Sequence, residues 1–165
     1  MKQLYIKQKV FSLSGQFTVK DEQEKDVYYV EGSFMKVPKT FSIMNAEREE
    51  IALITKKMLS FLPKFFVEVN GQELLTIKKE FSFFKARYTI DAAGIDVHGN
   101  WWEMDFEVLQ NGEVVGKVNK EWFTWGDSYK VQIVNEEMET IIIALVVAID
   151  CVKADQASAS SAAVT

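Results

Sequence analysis

TIIIALVVAI, from Thr140 to Ile149, is the one part of the chain that is apolar on every helical face. A helix of this kind must be buried on all sides, in protein or in lipid. The acidic residues Glu136, Glu137 and Glu139 come just before it and suit a helix N-terminus, where unpaired N–H groups favour negative charge. We therefore predict a buried helix over about 137–154 and expect the rest of the chain to enclose it.

The composition fits a single domain with a large core. The chain has 165 residues, of which 48% are hydrophobic and 13% are aromatic. The net charge of −5 argues against general nucleic-acid binding, which depends on a basic surface. The single cysteine, Cys151, excludes an internal disulfide and indicates a reducing compartment. The N-terminus lacks the apolar core of a signal peptide, and the apolar run is much shorter than the ~20 residues of a membrane-spanning helix. We expect a cytoplasmic protein.

A repeated unit fills the chain before the helix. Its first, fifth, eighth, twelfth and fourteenth positions are mainly apolar, and its six copies begin at Ile6, Val30, Ile54, Ile77, Ile95 and Val118. The twelfth position is Phe or Tyr in all six copies, and the fourteenth is Val or Ile in all six. The fifth copy is the weakest, because Gly99 occupies its fifth position.

The spacing of the unit predicts strands. Its apolar positions at either end follow period two, and its residues are β-branched or aromatic. Turn residues interrupt the middle of each copy, as at Gly99-Asn100, and follow its end, as at Asn70-Gly71 and Asn111-Gly112. Asn-Gly between alternating apolar residues is a strong hairpin signal. Each copy therefore predicts one hairpin, and the whole chain predicts about twelve antiparallel strands.

The number of strands selects a barrel. A propeller with four strands in each blade would have too few blades, whereas a closed barrel removes the exposed edge strands. A barrel of this size encloses more room than its own side chains fill, and a helix ~10–12 Å across fits that room. We predict a mainly β fold, in which residues 1–154 form one barrel domain around the central helix. The Ser/Ala-rich segment 155–165 is predicted to be a disordered tail.

These segments resemble the LURP-one-related family of bacterial YxjI-type proteins, grouped with tubby C-terminal domains and phospholipid scramblases. The resemblance covers residues 1 to about 155 and is carried by YIKQKVFSL (Tyr5–Leu13), FTVKDE (Phe17–Glu22), VYYVEG (Val27–Gly32), KMLSFLPKF (Lys57–Phe65), IKKEFSFFKARY (Ile77–Tyr88), WFTWGDSY (Trp122–Tyr129) and ALVVAID (Ala144–Asp150). It implies a twelve-stranded barrel around a hydrophobic helix. Tubby-like domains bind phosphoinositides through basic barrel residues, and scramblases act at membranes. The chain lacks the Cys cluster and acidic calcium segment of scramblases, which argues against that activity.

Isolated reactive residues give little indication of catalysis or of a cofactor. His98, the single histidine, has a turn composition around it and no partner for a metal or a nucleophile. Cys151 falls in the apolar helix, where a thiol is inert. The acidic segment 21–26 (DEQEKD) lacks the central Gly and final Glu of a calcium loop, so a solvated turn is the better interpretation.

The hairpin pattern separates charge between the two ends of the barrel. The turns between copies are strongly acidic, whereas the turns inside copies carry basic residues beside Phe11, Phe61, Phe83, Trp101, Trp102, Phe123 and Trp125. Aromatic and basic residues together are typical of a membrane interface. The hypothesis is that this end binds anionic phospholipid headgroups through Lys56, Lys57, Lys64, Lys78, Lys79, Lys85, Arg87, Trp101 and Trp125. The alternative is that the aromatic residues cap the barrel and the lysines are only solvated.

The sequence thus favours a non-enzymatic barrel domain that binds anionic phospholipid at a membrane surface. A protein-interaction scaffold without lipid binding is the alternative, and an enzyme that uses a carboxylate pair is a third possibility that no residue pattern supports. Lys56, Lys79 and Lys120 have the parity of inward-facing residues, so we expect a bulge or a position at the barrel mouth to accommodate them.

Overall fold

The computed structural model describes residues 1–7, 15–33, 37–59, 61–81, 87–92, 94–123 and 126–164. Two short 3-10 helices, Trp101–Glu103 and Glu136–Met138, and the long helix α1 (Glu139–Val164) accompany the strands. The strands are β1 (Lys2–Lys7), β2 (Gln16–Lys20), β3 (Asp26–Gly32), β4 (Lys39–Met44), β5 (Glu50–Leu59), β6 (Leu62–Val69), β7 (Gln72–Glu80), β8 (Arg87–Ala92), β9 (Ile95–Asn100), β10 (Asp105–Gln110), β11 (Glu113–Phe123) and β12 (Gly126–Ile133).

Each sequence copy forms one antiparallel hairpin, which confirms the predicted barrel. The first copy gives β1 and β2, and every later copy gives the next two strands. The strand order is β8-β7-β6-β5-β4-β3-β2-β1-β12-β11-β10-β9, so the pairing of β1 with β12 joins the first and last strands. Among the described strands the closure is incomplete at one place. β8 and β9 are consecutive in the chain yet form the two edges of the sheet, and we call the gap between them the seam.

The repeat positions explain why the wall packs on the helix. The fourteenth position is buried in five copies, at Val19, Ile43, Val67, Val108 and Val131. The exception is Ile90 on β8, which is only partly buried. Because alternate residues of a strand point to opposite faces, a period of two places all of these side chains inside the barrel. The one partly exposed member therefore marks the seam.

The helix is buried on every side where it crosses the barrel. All residues from Ile142 to Ile149 are 0% exposed. Eight successive residues cover more than two turns, so these side chains point in all directions around the helix axis. The wall approaches closely at Gly116 of β11, where an added Cβ would lie 2.7 Å from Cδ1 of Ile142. Glycine therefore makes room for the helix at this strand.

The entry of the helix is fixed by hydrogen bonds to its first residue. Glu139 is 8% exposed, and its Oε1 accepts from Lys2 Nζ at 2.6 Å and from the Tyr28 hydroxyl at 2.5 Å. Asn135 precedes it, and its side chain accepts from the Glu137 N–H. Burial and the Glu139 carboxylate hold the pKa of Tyr28 well above its usual value, so this phenol remains a donor. These contacts join α1 to β1 and β3.

Both ends of the helix differ from the prediction. The helix begins at Glu139, after a 3-10 turn at 136–138, rather than at about residue 137. It continues to Val164, so the disordered tail predicted for 155–165 is wrong for every residue that the structure describes. Extending an existing helix needs no new nucleus, and alanine is the best helix former. The Ser/Ala composition that indicated disorder for an isolated segment therefore suits this extension.

Candidate functional site

The end of the barrel that carries the turns inside the copies presents apolar side chains to solvent. Val37 is 98% exposed, Phe61 is 97% exposed, Phe81 is 73% exposed and Met58 is 60% exposed. These four residues, here called the apolar tips, lie at or beside the turns of three successive hairpins. Because β3 to β8 are neighbours in the sheet, the tips are neighbours along the rim. Exposed apolar residues grouped at one rim in this way make that rim a candidate interaction surface.

Phe61 adds a backbone feature to this surface. It lies in a turn directly before β6, where Leu62 pairs with Leu59 of β5, and its φ is +69°. A bulky residue at positive φ is an outlier, because glycine or asparagine adopts this conformation at lower cost. The turn therefore holds an exposed phenylalanine in a conformation that favours glycine. Strain of this kind is found at functional positions.

Three lysines line up directly below the apolar tips on the outer face. Lys57 of β5 pairs opposite Lys64 of β6, and Lys64 pairs opposite Lys78 of β7. We call these three residues the lysine row. Directly opposed like charges destabilise a sheet, so the row costs stability wherever no carboxylate offsets the repulsion. The ammonium groups of Lys57 and Lys64 lie 5.0 and 4.8 Å from the ring centre of Phe66, and Lys78 Nζ lies 3.4 Å from Glu80.

Two other lysines of the predicted lipid site have a different role. Lys56 and Lys79 have inward parity, and both hold the far end of α1 at the barrel mouth. Lys56 Nζ contacts Asp155, and Lys79 Nζ donates to Gln156 Oε1 at 3.0 Å. The Tyr88 hydroxyl donates to the same oxygen at 2.9 Å, and burial, with the nearby Asp155 charge, raises its pKa to about 12. Their position at the barrel mouth, as predicted, explains why Lys56 and Lys79 can have the parity of inward-facing residues.

The remaining predicted residues are spread along the rim. Arg87 is exposed at the start of β8, where it pairs opposite Glu80. Trp101 is partly buried beside the seam and packs edge-on against Trp102, with 5.6 Å between ring centres. Lys85 and Trp125 lie outside the described residues. The structure therefore brings together Lys57, Lys64 and Lys78.

The sequence interpretation missed three of the four apolar tips. It named Phe61 but treated Met58 and Phe81 as inward-facing positions of the repeat and did not single out Val37. The fifth position of the unit falls where the strand meets its turn, so Met58 and Phe81 extend beyond the wall that would have covered them. The closeness of Met58 and Phe81 to the predicted turns was the sequence signal that could have identified them as exposed.

A buried carboxyl lies inside the same end of the barrel. Asp150 of α1 is 7% exposed, and the Tyr129 hydroxyl donates to its Oδ1 over a long 3.4 Å. Burial raises the pKa of Asp150 to about 6, although the Lys153 charge and the Tyr129 hydrogen bond oppose this. Burial likewise lowers the pKa of Lys153, whose ammonium lies 5.9 Å from the Tyr129 ring centre.

The raised pKa of Asp150 predicts that the stability of the protein decreases as pH rises. Its unfolded pKa is 3.8 and its folded pKa is about 6, so the folded chain keeps the proton longer as pH rises. The free energy of unfolding should therefore fall between about pH 4 and pH 7, by about 3 kcal/mol from this group. Asp150→Asn leaves a neutral acceptor for Tyr129 and should flatten the profile. Urea unfolding of both proteins across this range measures the difference, and parallel profiles would contradict it.

The two residues considered individually as reactive groups, His98 and Cys151, lie on a strand and in the central helix. His98 lies on β9 and is exposed, so the turn predicted at Gly99-Asn100 is wrong. The turn begins at Trp101, because the Asn100 side chain accepts from the Glu103 N–H and caps the 3-10 helix. Cys151 is 2% exposed, and burial holds its thiol pKa well above the usual value. Among the described residues no group of His, Cys, Asp and Glu is placed to hold a metal ion.

The acidic segment after β2 forms the predicted turn. The Asp21 carboxylate accepts from the N–H groups of Gln23 and Lys25, at 2.9 and 3.0 Å. Asp26 pairs instead with Lys20 at 2.7 Å. These carboxylates therefore stabilise the turn and its flanking strands. Of the helices that the structure describes, none is long and apolar enough to span a membrane.

Comparisons with known proteins agree with this architecture. The chain is 29% identical over 152 residues to the uncharacterised protein YxjI of Bacillus subtilis strain 168, which covers 92% of this chain and 94% of the relative. The fold of the present chain is similar to that of a protein from Arabidopsis thaliana whose X-ray structure is known. The TM-score is 0.60, the sequence identity is 13%, and the match covers 91% of this chain and 90% of the Arabidopsis chain. The model of the LURP-one-related family matches residues 2–150. The chain therefore belongs to the LURP-one-related family.

Proposed function

We propose that this protein binds peripherally to anionic phospholipid membranes, at a cytoplasmic membrane face, and that its role is binding rather than catalysis. The surface that makes the contact, here called the rim surface, consists of the apolar tips and the lysine row. The observation that carries the proposal is the placement of three directly opposed lysines below four exposed apolar residues.

The apolar tips supply the hydrophobic part of the contact. Val37, Phe61 and Phe81 project from separate hairpins, and the tip of one hairpin alone would insert little area. Burying a side chain of this size is worth about 1.5–3 kcal/mol when it is complete. In a shallow contact at the headgroup level each tip is only partly buried, so each contributes part of this free energy, as interfacial anchors do. Tips from neighbouring hairpins together form a flat contact.

The lysine row supplies the electrostatic part. Each lysine near an anionic membrane contributes about 1 kcal/mol, and an anion also relieves the repulsion within the row. The opposite end of the barrel carries the acidic turns, such as 21–26 and 135–139. Because an anionic membrane repels that end, the charge distribution favours the rim surface as the face that approaches.

The end of α1 emerges on the same side and is compatible with this contact. Asp155 and Gln156 lie at the mouth, and the residues from Ala157 to Val164 carry no charged side chain. Three serine hydroxyls donate to backbone carbonyls four residues earlier, at 2.9 to 3.0 Å. The hydroxyl groups of these three serines are therefore satisfied within the helix, so residues 157–164 bring neither a charged side chain nor an unpaired serine hydroxyl to the membrane interface.

Vesicle co-sedimentation tests the proposal. The protein should sediment with vesicles that contain phosphatidylglycerol and remain in solution with vesicles of phosphatidylcholine alone. Binding should weaken as salt rises, because the Debye length falls from ~10 Å at 0.1 M to ~3 Å at 1 M. Absence of binding to anionic vesicles at low salt would contradict the proposal and favour a protein-interaction scaffold. Equal binding to both vesicle types would show that the lysine row does not contribute to membrane binding.

A further inference from the structure

The seam is the one place where the described wall is not continuous. β8 ends at Ala92 and β9 begins at Ile95, with Gly94 in a turn just before it, yet no ladder connects the described residues of the two strands. Every other pair of strands that are neighbours in the chain is hydrogen-bonded. At the far end of the seam the rings of Tyr88 and Trp102 stack, with 5.2 Å between their centres. The gap is therefore bounded at both ends.

A cleft of about 390 Å³ occupies this gap. One wall is formed by Tyr88, Thr89 and Ile90 of β8, and the other by the first four residues of β9, with Trp101 at one end. Inward-facing Ile90 and Val97 pack against the core but remain only partly buried. The helix below is nevertheless fully buried from Ile142 to Ile149. The cleft is thus a shallow channel with an apolar floor, lined on both sides by strand edges.

The edge of β9 presents main-chain polar groups to the channel. The turn at 111–112 has positive φ at both residues, 53° and 84°, as in a two-residue hairpin turn, so Gln110 directs its main-chain groups to β11. Because these groups alternate along a strand, the residue before Gln110 faces β9, where its partner is Asp96. Ile95 and Val97 therefore direct their N–H and C=O groups away from β10 and into the seam.

We propose that the seam binds an extended peptide segment, which adds as a strand between β8 and β9. Unpaired strand edges are templates for another strand, and recognition by strand addition uses main-chain hydrogen bonds for affinity. The floor formed by Ile90 and Val97 takes small apolar side chains at alternate positions. Asp91 and Asp96 are exposed on the two sides of the seam beside the turn, so the segment carries a basic residue at that end. This binding is independent of the rim surface.

Titration with short peptides, followed by amide NMR of the full chain, tests this proposal. The probe is an acetylated and amidated peptide of alternating valine and threonine with lysine at one end. It should shift the amides of Ile95 and Val97 and slow their hydrogen exchange. N-methylation of its alternate amides, which removes main-chain donors, should weaken binding about tenfold or more. Equal binding of the N-methylated peptide would overturn strand addition.

Charge variants test the direction of the segment. Asp91→Asn with Asp96→Asn should weaken binding of the lysine peptide several-fold and leave a matched glutamine peptide unaffected. Both positions are exposed, and an unchanged amide spectrum elsewhere verifies folding. Slow exchange of the Ile95 and Val97 amides in the free protein would show that the two edges already pair with each other and would overturn the site, as would the absence of binding by every peptide.

Discussion

Replacement of Lys57, Lys64 and Lys78 together by glutamine is expected to lower the affinity for anionic vesicles about a hundredfold. The estimate follows from about 1 kcal/mol for each lysine near an anionic surface, and a factor of ten corresponds to about 1.4 kcal/mol. The same change is expected to maintain or slightly raise the thermal stability, because it removes two directly opposed pairs of like charge. Vesicle co-sedimentation and thermal unfolding of the same protein sample measure both effects.

The control is a triple variant with the same change in net charge elsewhere. Lys20, Lys25 and Lys117 lie away from the rim surface, and Lys20 and Lys117 form ion pairs with Asp26 and Glu107. Their replacement by glutamine should reduce vesicle binding far less than the loss of the lysine row. Equal losses in the two triple variants would show that only net charge matters. Loss of stability on removal of the lysine row would mean that the row is structural.

Substitutions around α1 are expected to destabilise the protein on every face of the helix. Ile142→Ala, Ile143→Ala and Leu145→Ala should each lower the free energy of unfolding by about 2–5 kcal/mol. Ala144 points away from Leu145 by about 100° and meets the wall on another side. Ala144→Leu should therefore destabilise by overpacking, by about 1–3 kcal/mol. Chemical denaturation of the four variants measures these values.

The pattern of these effects distinguishes a helix inside the barrel from a helix that packs on one face. A helix with one buried face would tolerate substitution at every third or fourth residue, because one side would meet solvent. Ala159, in the exposed part of the same helix, provides the control, and Ala159→Leu should change stability by less than about 0.5 kcal/mol. A tolerant position among the four buried residues would contradict the enclosure of α1.

The sequence predicted the barrel because its repeat carries the period of a strand and its spacing carries the hairpins. Both signals are local, and every inward position at Val19, Ile43 and Val67 follows from parity. The seam was not predictable in the same way. It depends on whether β8 and β9 approach after the turn, which is decided by pairing across the whole sheet. The weakness of the fifth copy, with Gly99 in place of an apolar residue, was the one local indication.

The candidate site was predictable as a charge asymmetry and not as a set of contacts. Parity separated outward Lys57, Lys64 and Lys78 from inward Lys56 and Lys79 only once the bounds of each strand were known. That the inward lysines bind the end of α1 depended on the helix continuing past Asp155, and the Ser/Ala composition had suggested the opposite. Composition describes an isolated segment, whereas the preceding helix had already supplied the nucleus.

An environment-sensitive fluorophore at one rim position tests the central claim most directly. The native Cys151 is buried and its thiol pKa is raised, so Phe61→Cys provides a single reactive site. Val134→Cys, at an exposed position at the opposite end, is the matched control. With vesicles containing phosphatidylglycerol, the emission from position 61 should shift to the blue while that from position 134 stays unchanged. An unchanged emission at position 61 with bound vesicles, or an equal shift at both positions, would contradict docking through the rim surface.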